Sequence, residues 1–398
     1  MLLWLYIAAT LAQLAPWWGV WNAEFGIGNS EFRIPHSESV SVIVCARNEA
    51  ENLRRHLPAI LAQQFDSPWE LLVVDDASED DTPAVLQFFQ EKNPERLRVL
   101  RILEKNHVGK KHALAQGIAA AKYDLLLLTD ADCRPASPHW LAQMAATLTA
   151  KPETEIVLGY GPMNPTVPAA LAAGCENGQN VCVRPGIPAT KVAGTYTSWS
   201  RYETAFTAAQ YFSFALAGMP YMGVGRNLAF RRQVFDRAGG FTAHAHIASG
   251  DDDLLVNAAA NARNTAICLA PESFVYSDAP PNWAAWLRQK RRHLAASPAY
   301  RWEHKIVLGA LALSHTGHYL LFFVLLLAGF APKIVGVFFL LRLFSVWFVF
   351  GKILRVLREP GLFWRIPLFD ALLAAYYGAV VPWFLLQKKS ALWESREK

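Results

Sequence analysis

Two aspartates separated by a single residue end an apolar run in the stretch LLLLTDADCRP at 125–135. A short apolar run bounded by polar residues is typical of a central strand in a covered parallel sheet. Ligands of open α/β sheets bind at the carboxyl ends of the strands, and residues i and i+2 of an extended chain point to the same side. Asp130 and Asp132 can therefore present two carboxylates to one divalent cation that carries a diphosphate. The alternative is a polar turn whose acids cap a helix beginning near Pro135.

Polar residues also follow two earlier apolar runs, VSVIVC at 40–45 and ELLVV at 70–74. The first run leads into ARNE at 46–49, and the second into a pair of aspartates at 75–76. Such runs alternate with helical patterns through this part of the chain, which is typical of doubly wound α/β folds. Because the carboxyl ends of parallel strands share one sheet edge, we expect these polar residues to line a nucleotide pocket.

The phosphates of such a nucleotide need a partner other than a glycine-rich loop. No GxGxxG follows the first run, and GxxxxGK[ST] is absent from the sequence. We expect a metal ion on the aspartates to hold the phosphates, with Lys110 or Lys111 nearby.

Hydrophobic residues make up 53% of the 398-residue chain and are unevenly placed. Four segments are of membrane-spanning length with few charges, at 2–20, 306–330, 334–350 and 366–386. The first could instead be a cleaved signal peptide, although no Lys or Arg precedes it. The sequence therefore predicts an integral membrane protein whose polar domain lies between the first and second spans.

This pattern predicts three parts of the chain. They are an N-terminal transmembrane helix at 1–21, a polar domain at 39–298 and a C-terminal membrane domain of about three apolar helices at 304–387. Within the polar domain, a stretch rich in Gly, Pro and Thr at 160–198 predicts an irregular loop, either an active-site flap or an insertion. A basic, Trp-bearing stretch at 281–296 predicts an interfacial helix.

Lys and Arg residues lie soon after the first apolar segment and just before the second. The positive-inside rule therefore places the polar domain in the cytoplasm, as expected at a bacterial inner membrane. Four spans would put the basic C-terminus outside, so the number of spans stays open. These flanks explain the net charge of +5, and no nucleic-acid-binding pattern of basic and aromatic residues occurs in the polar domain.

Seven motifs, taken in order, resemble those of the family 2 glycosyltransferases of GT-A fold. The resemblance is to the membrane-bound branch that includes cellulose, chitin and hyaluronan synthases and ceramide glucosyltransferase. It implies a Rossmann-like α/β domain for a nucleotide sugar, with a mixed, mainly parallel sheet, plus transmembrane helices. The motifs are SVIVCARNEAENL, LLVVDDAS, NHVGKKHAL, LLLLTDAD, GVGRNLAFRR, SGDDDLL and QKRRH.

The resemblance implies roles for residues on the donor side of the site. Asp76 matches the residue that recognises the uracil of a UDP-sugar, with Ala46 and Glu49 beside the nucleoside. Lys110 matches a basic position near the diphosphate.

The resemblance also implies the metal site and the base. Asp130 and Asp132 match the DxD motif that binds Mg²⁺ or Mn²⁺, with Asp132 expected in direct contact, and Asp252 matches the catalytic base. This chemistry suits the residues, because a metal ion neutralises charge on the departing diphosphate and one carboxylate takes the acceptor's proton. The alternative for Asp252 is a helix N-terminus stabilised by the acids at 251–253.

A third group of residues matches the family's Q-x-x-R-W motif. Gln289 and Arg292 stand at spacing i, i+3 on one helix face, from which they can reach a pyrophosphate or an incoming hydroxyl. His293 stands where the family has Trp, which leaves acceptor recognition undetermined. The alternative is a basic helix that satisfies only the positive-inside bias.

The combined reading is an inverting, metal-dependent glycosyltransferase that moves a sugar from a UDP-sugar to a lipid or glycan acceptor at the cytoplasmic membrane face. One alternative is a processive polysaccharide synthase, which would need a homo-oligomer or an export partner because the spans are few. Another is a non-catalytic nucleotide-sugar-binding subunit of a membrane assembly.

Two charged residues lie inside apolar segments, Arg342 and Asp370. Charges within a membrane are costly unless they are paired. The sequence therefore predicts that these two side chains form an ion pair.

Overall fold

The structure is a computed structural model, and it describes residues 1–11, 38–105, 109–164, 195–280 and 282–386. Most of the predicted loop at 160–198, the later part of the first apolar segment and the basic C-terminus lie outside these ranges.

Seven strands form one sheet in the order β3-β2-β1-β4-β7-β6-β8. Strand β7 runs antiparallel to its two neighbours, and the other adjacent pairs are parallel. This confirms the mixed, mainly parallel sheet expected from the sequence. A separate pair, β5 and β9, is antiparallel. The strands are β1 Val40–Ala46, β2 Trp69–Asp76, β3 Leu97–Ile102, β4 Leu125–Asp130, β5 Cys133–Pro135, β6 Ile156–Gly159, β7 Leu228–Arg231, β8 Thr265–Cys268 and β9 Val275–Ser277.

Helices cover both faces of the sheet. The helices are α1 Leu2–Leu11, α2 Ala50–Leu61, α3 Thr82–Lys92, α4 Lys111–Ala120, α5 Trp140–Thr149, α6 Thr195–Leu216, α7 Arg232–Arg237, α8 Asp253–Ala259, α9 Trp283–Leu294, α10 Trp302–Leu327, α11 Pro332–Val356, α12 Ile366–Ala375 and α13 Val381–Leu386. One hydrophobic core joins the sheet to α2, α3 and α5, and a second joins it to α4, α6 and α8. Successive leucines of β4 alternate between the two cores, which is why the strand begins with four consecutive leucines.

Helix α6 connects the sheet to the membrane helices. It begins at Thr195, so the prediction of an irregular loop as far as residue 198 is wrong at its end. Trp199 packs edge-on against Trp286 of α9 and Phe369 of α12, with ring centroids 5.8 and 5.7 Å apart. Glu203 forms an ion pair with Lys290 of α9 at 2.5 Å. Helix α6 therefore packs directly against α9 and the membrane helix α12, and so joins the polar domain to the membrane segments.

Three helical segments are long and apolar enough to cross a membrane, at Trp302–Leu327, Pro332–Val356 and Pro360–Phe384. The third combines α12 and α13 with the turns around them. At the N-terminus the described apolar helix is shorter, Leu2–Leu11. These helices fit association with a membrane, and the rest of the expected N-terminal span lies outside the described residues.

The two intramembrane charges form the predicted ion pair. The guanidinium of Arg342 donates to both carboxylate oxygens of Asp370, at 2.5 and 3.2 Å, and both side chains are buried. The hydroxyl of Tyr319 donates to the same carboxylate at 2.7 Å, and His315 Nε2 lies 3.2 Å from it. This cluster links α10, α11 and α12 at mid-span.

Replacing Asp370 with Asn should sharply lower the yield of folded protein. Removing one partner of a buried ion pair leaves the other charge uncompensated and costs about 3–5 kcal/mol. The measurement is the monodisperse fraction after detergent extraction. A double replacement, Arg342→Met with Asp370→Leu, should recover much of the yield, since both charges are then gone. Wild-type yield for Asp370→Asn alone would show that the pair contributes nothing.

Candidate active site

The carboxyl ends of the parallel strands bring the predicted donor-side residues to one edge of the sheet. In the strand register, Ala46 of β1 lies opposite Asp75 of β2, and Cys45 lies opposite Asp130 of β4. The backbone N–H of Glu49, just beyond β1, donates to Oγ1 of Thr82 at the start of α3, at 2.9 Å. These residues therefore share the edge at which α/β sheets bind ligands.

The acids at the end of β4, Asp130 and Asp132, are placed as a cation site requires. One ligand atom each from Asp130, Asp132 and Cys133 lies within 4.8 Å of the others. Burial raises the pKa of the Cys133 thiol well above its ordinary value, and the carboxylate of Asp132 raises it further, so the sulfur stays protonated. The two carboxylates supply the oxygen ligands that Mg²⁺ and Mn²⁺ prefer. The residues present therefore fit a hard divalent cation.

Lys110 joins this acidic site to a second one. Its ammonium group contacts Asp130 and lies 3.8 Å from Asp251. Burial alone would lower the pKa of Lys110, but the carboxylates of Asp130 and Asp251 raise it well above its ordinary value. The lysine therefore stays charged between the acids after β4 and the acids before α8.

Asp252 is held by two backbone donors. Its Oδ2 accepts from Gly225 N–H at 2.5 Å, and its Oδ1 accepts from Asp253 N–H at 2.8 Å. The second bond makes Asp252 the N-cap of α8, so the structural alternative considered for this residue also holds. Burial, followed by the charge of Asp251, raises the pKa of Asp252 to about 6. A carboxylate with this pKa is suited to general base chemistry near neutral pH.

The loop before the second acidic cluster is held by the start of α4. Lys111 donates from Nζ to the carbonyls of His244 and Ile247, both at 2.9 Å, so its ammonium group is engaged by this loop and not by Asp130, which Lys110 contacts. Gly109 has φ +81°, and a Cβ there would lie 2.3 Å from the carbonyl oxygen of Ala248. Only glycine allows this close backbone approach, which brings Lys110 to the acids.

A polar cleft of about 360 Å³ opens beside the ends of β2 and β3. Its lining includes Arg47, Asp75, Arg101 and Lys105. Asp76, expected at the uracil, is 5% exposed and forms an ion pair with Lys105. Sequence reasoning missed Lys105. The only signal in the sequence is its position three residues after β3, a strand at the edge of the sheet.

The loop after β1 is tied to the loop after β2. Asn48 donates its N–H to Ser78 Oγ at 3.0 Å, and its Oδ1 accepts from Glu79 N–H at 2.8 Å. The sequence predicts that Asn48 caps α2 together with Glu51. This is wrong, because Glu49 directly precedes the helix and Asn48 has φ 54°. Asparagine tolerates this left-handed conformation better than most residues.

Helix α9 carries the residues expected on the acceptor side. The backbone carbonyl of Arg292 accepts from Ser249 Oγ at 2.7 Å, which ties the end of α9 to the loop before Asp251. Within the described residues, the buried Oε1 of Gln289 has no hydrogen-bond partner. Helix α9 therefore borders the second acidic cluster, and Oε1 of Gln289 could accept a hydrogen bond from a ligand.

The side chain of His293 is exposed to solvent. Desolvation lowers its pKa well below the ordinary value, and the cations Lys290, Arg292 and Arg226 lower it further. His293 is therefore neutral at pH 7 and can accept or donate one hydrogen bond.

Asn227 is a site-supporting residue that sequence reasoning missed. It is fully buried and accepts at Oδ1 from Trp140 Nε1 at 2.9 Å. Its Nδ2 donates to the carbonyls of Tyr160 and Ser273, both at 2.8 Å. These bonds fix the turn that leads from Gly225 into β7. The signal in the sequence is an asparagine between a glycine turn and a strand.

Comparisons with known proteins agree with this architecture. The family model described as "Glycosyl transferase family 2" matches residues 41–162, and that described as "Glycosyl transferase family group 2" matches residues 181–384, about half of the chain. A mannosyltransferase from Pyrobaculum calidifontis, solved in complex with GDP-Man and Mn²⁺, superposes with a TM-score of 0.53 over 94% of this chain and 99% of that chain, at 20% identity. That likeness shows the fold.

Two curated relatives match shorter segments. Glycosyltransferase AglE of Haloferax volcanii is 34% identical over 113 residues, which is 28% of this chain and 35% of that protein. Poly-beta-1,6-N-acetyl-D-glucosamine synthase of Staphylococcus aureus is 28% identical over 102 residues, which is 26% of this chain and 24% of that protein. The matches thus span about a third or less of these relatives' length.

The fold agrees with GT-A architecture, and both family matches are to glycosyl transferase models. This chain belongs to glycosyltransferase family 2, as the resemblance of its motifs implied.

The pH dependence of transfer should report the carboxylate of Asp252. Its pKa of about 6 makes it mostly ionised at pH 7, and protonation below pH 6 removes its capacity to accept a proton as the candidate base. We expect kcat/KM to fall about tenfold per pH unit below pH 6, as for loss of one essential base. The measurement is the initial rate between pH 4.5 and 8 at saturating metal. A flat profile down to pH 5 would exclude a base with a raised pKa.

Proposed function

We propose that this protein transfers a sugar from a UDP-sugar to a lipid or lipid-linked acceptor at the cytoplasmic face of a membrane, in a metal-dependent reaction that inverts the anomeric centre. The observation that carries this proposal is the position of Lys110, which contacts Asp130 and lies 3.8 Å from Asp251. Lys110 thus joins two groups of acids. Asp130 and its neighbour Asp132 are suited to bind a cation that carries a diphosphate, and Asp251 directly precedes Asp252, which is suited to act as a base.

Each group of residues has a task in this reaction. Asp130 and Asp132 would hold Mg²⁺ or Mn²⁺, and the bound ion would neutralise charge on the departing diphosphate. Lys110 adds a fixed positive charge at the same edge. Asp252 would take the proton of the attacking hydroxyl, with its carboxylate oriented by two backbone N–H groups. One base and one leaving diphosphate suffice for a single displacement, which inverts configuration.

The nucleoside would bind in the cleft beside β2 and β3. The charged groups of Arg47, Arg101 and Asp75 line this cleft, and Asp76 forms an ion pair with Lys105, which also lines it. Uracil as the base of the donor nucleotide follows from the resemblance at Asp76. The mannosyltransferase from Pyrobaculum calidifontis was solved with a guanosine donor. Both nucleotides therefore belong in the donor test.

The acceptor side of the site lies against the membrane segments. Trp286 of α9 packs on Tyr376 of the third span, with ring centroids 5.5 Å apart, and Trp283 at the start of α9 is 47% exposed. Exposed tryptophan beside membrane helices is typical of the lipid-water interface. An acceptor that lies in the bilayer would reach Gln289, Arg292 and His293 without leaving it, which favours a lipid or lipid-linked acceptor.

The test uses membranes that contain the full-length protein. They are incubated with radiolabelled UDP-glucose, UDP-galactose, UDP-N-acetylglucosamine or GDP-mannose, with Mn²⁺, Mg²⁺ or EDTA, and the label is partitioned between organic extract and insoluble material. We expect metal-dependent label in the organic phase from one UDP-sugar. Label only from GDP-mannose would overturn the uridine assignment, and turnover in EDTA would overturn the metal dependence.

A second candidate is suggested by the match to the Staphylococcus aureus polysaccharide synthase. A processive synthase would place label in insoluble polymer of high mass, and the three described spans would then need a homo-oligomer or a partner for export. Label in neither fraction, with retained nucleotide binding, would instead favour a non-catalytic subunit.

A further inference from the structure

The short helix α8 carries the candidate base at its N-terminus, and its far side is bonded to the start of the membrane domain. Asp253 and Asn257 stand one turn apart on this helix, at 9% and 2% exposure. Both side chains make hydrogen bonds to the segment 296–304, which we call the membrane junction.

Asp253 is bonded to the membrane junction by a buried hydroxyl. The Oη of Tyr300 donates to Asp253 Oδ2 at 2.9 Å, and the Tyr300 ring is 8% exposed. Asp253 directly follows Asp252, and its own N–H is one of the two donors that hold the Asp252 carboxylate. A shift of Asp253 would therefore shift the carboxylate that takes the acceptor's proton.

Asn257 makes the second attachment. Its Oδ1 accepts from Arg301 N–H at 2.8 Å, and its Nδ2 lies 2.9 Å from His304 Nδ1. The same Nδ2 donates to the carbonyl of Tyr221 at 2.9 Å. Arg301 is the N-cap of α10, the first span of the C-terminal membrane domain, and His304 lies in its first turn. Helix α8 is thus bonded directly to a membrane helix.

The loop that precedes the acids packs on the same junction. Gly250 has φ +80°, and a Cβ there would lie 2.8 Å from the Cβ of Ala296, which is fully buried. Both ends of the segment that carries the candidate base therefore meet the membrane junction, through close packing before Asp252 and through hydrogen bonds after it.

We infer that Tyr300 and Asn257 are positioning residues. Their hydrogen bonds hold α8, and with it the carboxylate of Asp252, in a position that is fixed by the membrane domain. The geometry of proton transfer therefore depends on the position of α10. This inference rests on the proposed function, because it gives Asp252 the role of base. The donor-side residues at the ends of β1, β2 and β4 are held by the sheet instead. Loss of the attachment should therefore affect the chemical step and spare donor binding.

The experiment compares full-length Tyr300→Phe with Tyr211→Phe in detergent or nanodiscs. Tyr211 is the matched control, since it is 1% exposed and its hydroxyl makes one buried hydrogen bond, to the carbonyl of Gly159 at 2.8 Å. We expect kcat to fall about tenfold in Tyr300→Phe with donor KM within about twofold of wild type, since small misplacement of a reacting group is costly. Tyr211→Phe should keep kcat.

Hydrogen exchange of the α8 amides gives a readout that needs no turnover. Exchange at 253–259 should be faster in Tyr300→Phe and in Asn257→Ala than in wild type and in Tyr211→Phe. Unchanged exchange, a kcat equal to that of Tyr211→Phe, or a donor KM that rises as much as kcat falls would each overturn the inference. If wild type transfers no sugar, the proposed function fails, and the exchange data still decide whether the junction holds α8.

Discussion

Asp252→Asn should lower the turnover number by about 10³-fold, because a general base contributes about 10²–10⁴-fold to catalysis. The replacement keeps the size of the side chain and removes its capacity to take a proton. The affinity for the nucleotide should stay near the wild-type value, since the strand ends that line the donor cleft do not include Asp252. Initial rates and calorimetric titration with UDP in Mn²⁺ measure the two effects separately.

The control for this variant is Asp236→Asn, an exposed acid on α7, which should keep full activity. Both carboxylate oxygens of Asp252 accept from backbone N–H groups, so the new amide faces one of these donors. The thermal midpoint is therefore compared as well. Turnover above a tenth of wild type, in a protein of unchanged midpoint, would show that another group takes the proton.

Asp132→Asn should lower metal-dependent turnover by about 10²-fold or more, because it removes one of the two carboxylates that would hold the metal ion, and that ion would neutralise the departing diphosphate. The Mn²⁺ concentration that gives half-maximal rate should rise in parallel. The decisive measurement is a Mn²⁺ titration of the initial rate at saturating donor. Lys110 contacts Asp130, and the resemblance of the motif implies that Asp132 is the acid in direct contact with the ion.

Asp236→Asn again serves as the matched control, and its Mn²⁺ titration should coincide with that of wild type. If Asp132→Asn titrates like this control, the metal ion binds elsewhere or is not needed. If turnover falls while the half-maximal Mn²⁺ concentration stays constant, Asp132 acts on the substrate without binding the ion.

Strands β1, β2 and β4 could be predicted because each contains a continuous run of apolar residues. Strands β1 to β4 have six to eight residues with buried apolar positions, and β4 supplies leucines to both cores. Strands β6 and β8 have four residues each and escaped prediction. Their extended conformation depends on partners distant in the chain, such as the pairing of Val157 with Ala266. Short segments carry too little periodicity to indicate such pairing.

The positions of the acids in the candidate site could be predicted, but the lysines with which they form ion pairs could not. Asp76 and Asp130 follow predicted strands, so their place at the sheet edge was foreseeable. Their bonds to Lys105 and Lys110 were not, since two adjacent lysines follow Gly109 and only the folded loop selects between them. The left-handed turn at Gly109 directs Lys110 to the acids and Lys111 to backbone carbonyls.

The sequence by itself determined the class of this protein, the acids at its strand ends, the apolar segments of membrane-spanning length and the pairing of Arg342 with Asp370. These follow from local composition and from the high cost of an unpaired charge in an apolar medium. Only the tertiary structure decided that Asp251 lies within reach of Lys110 and that Tyr300 holds the helix behind Asp252. Such contacts join residues far apart in sequence, and they depend on how the strand-edge loops pack against each other and against the first helix of the membrane domain.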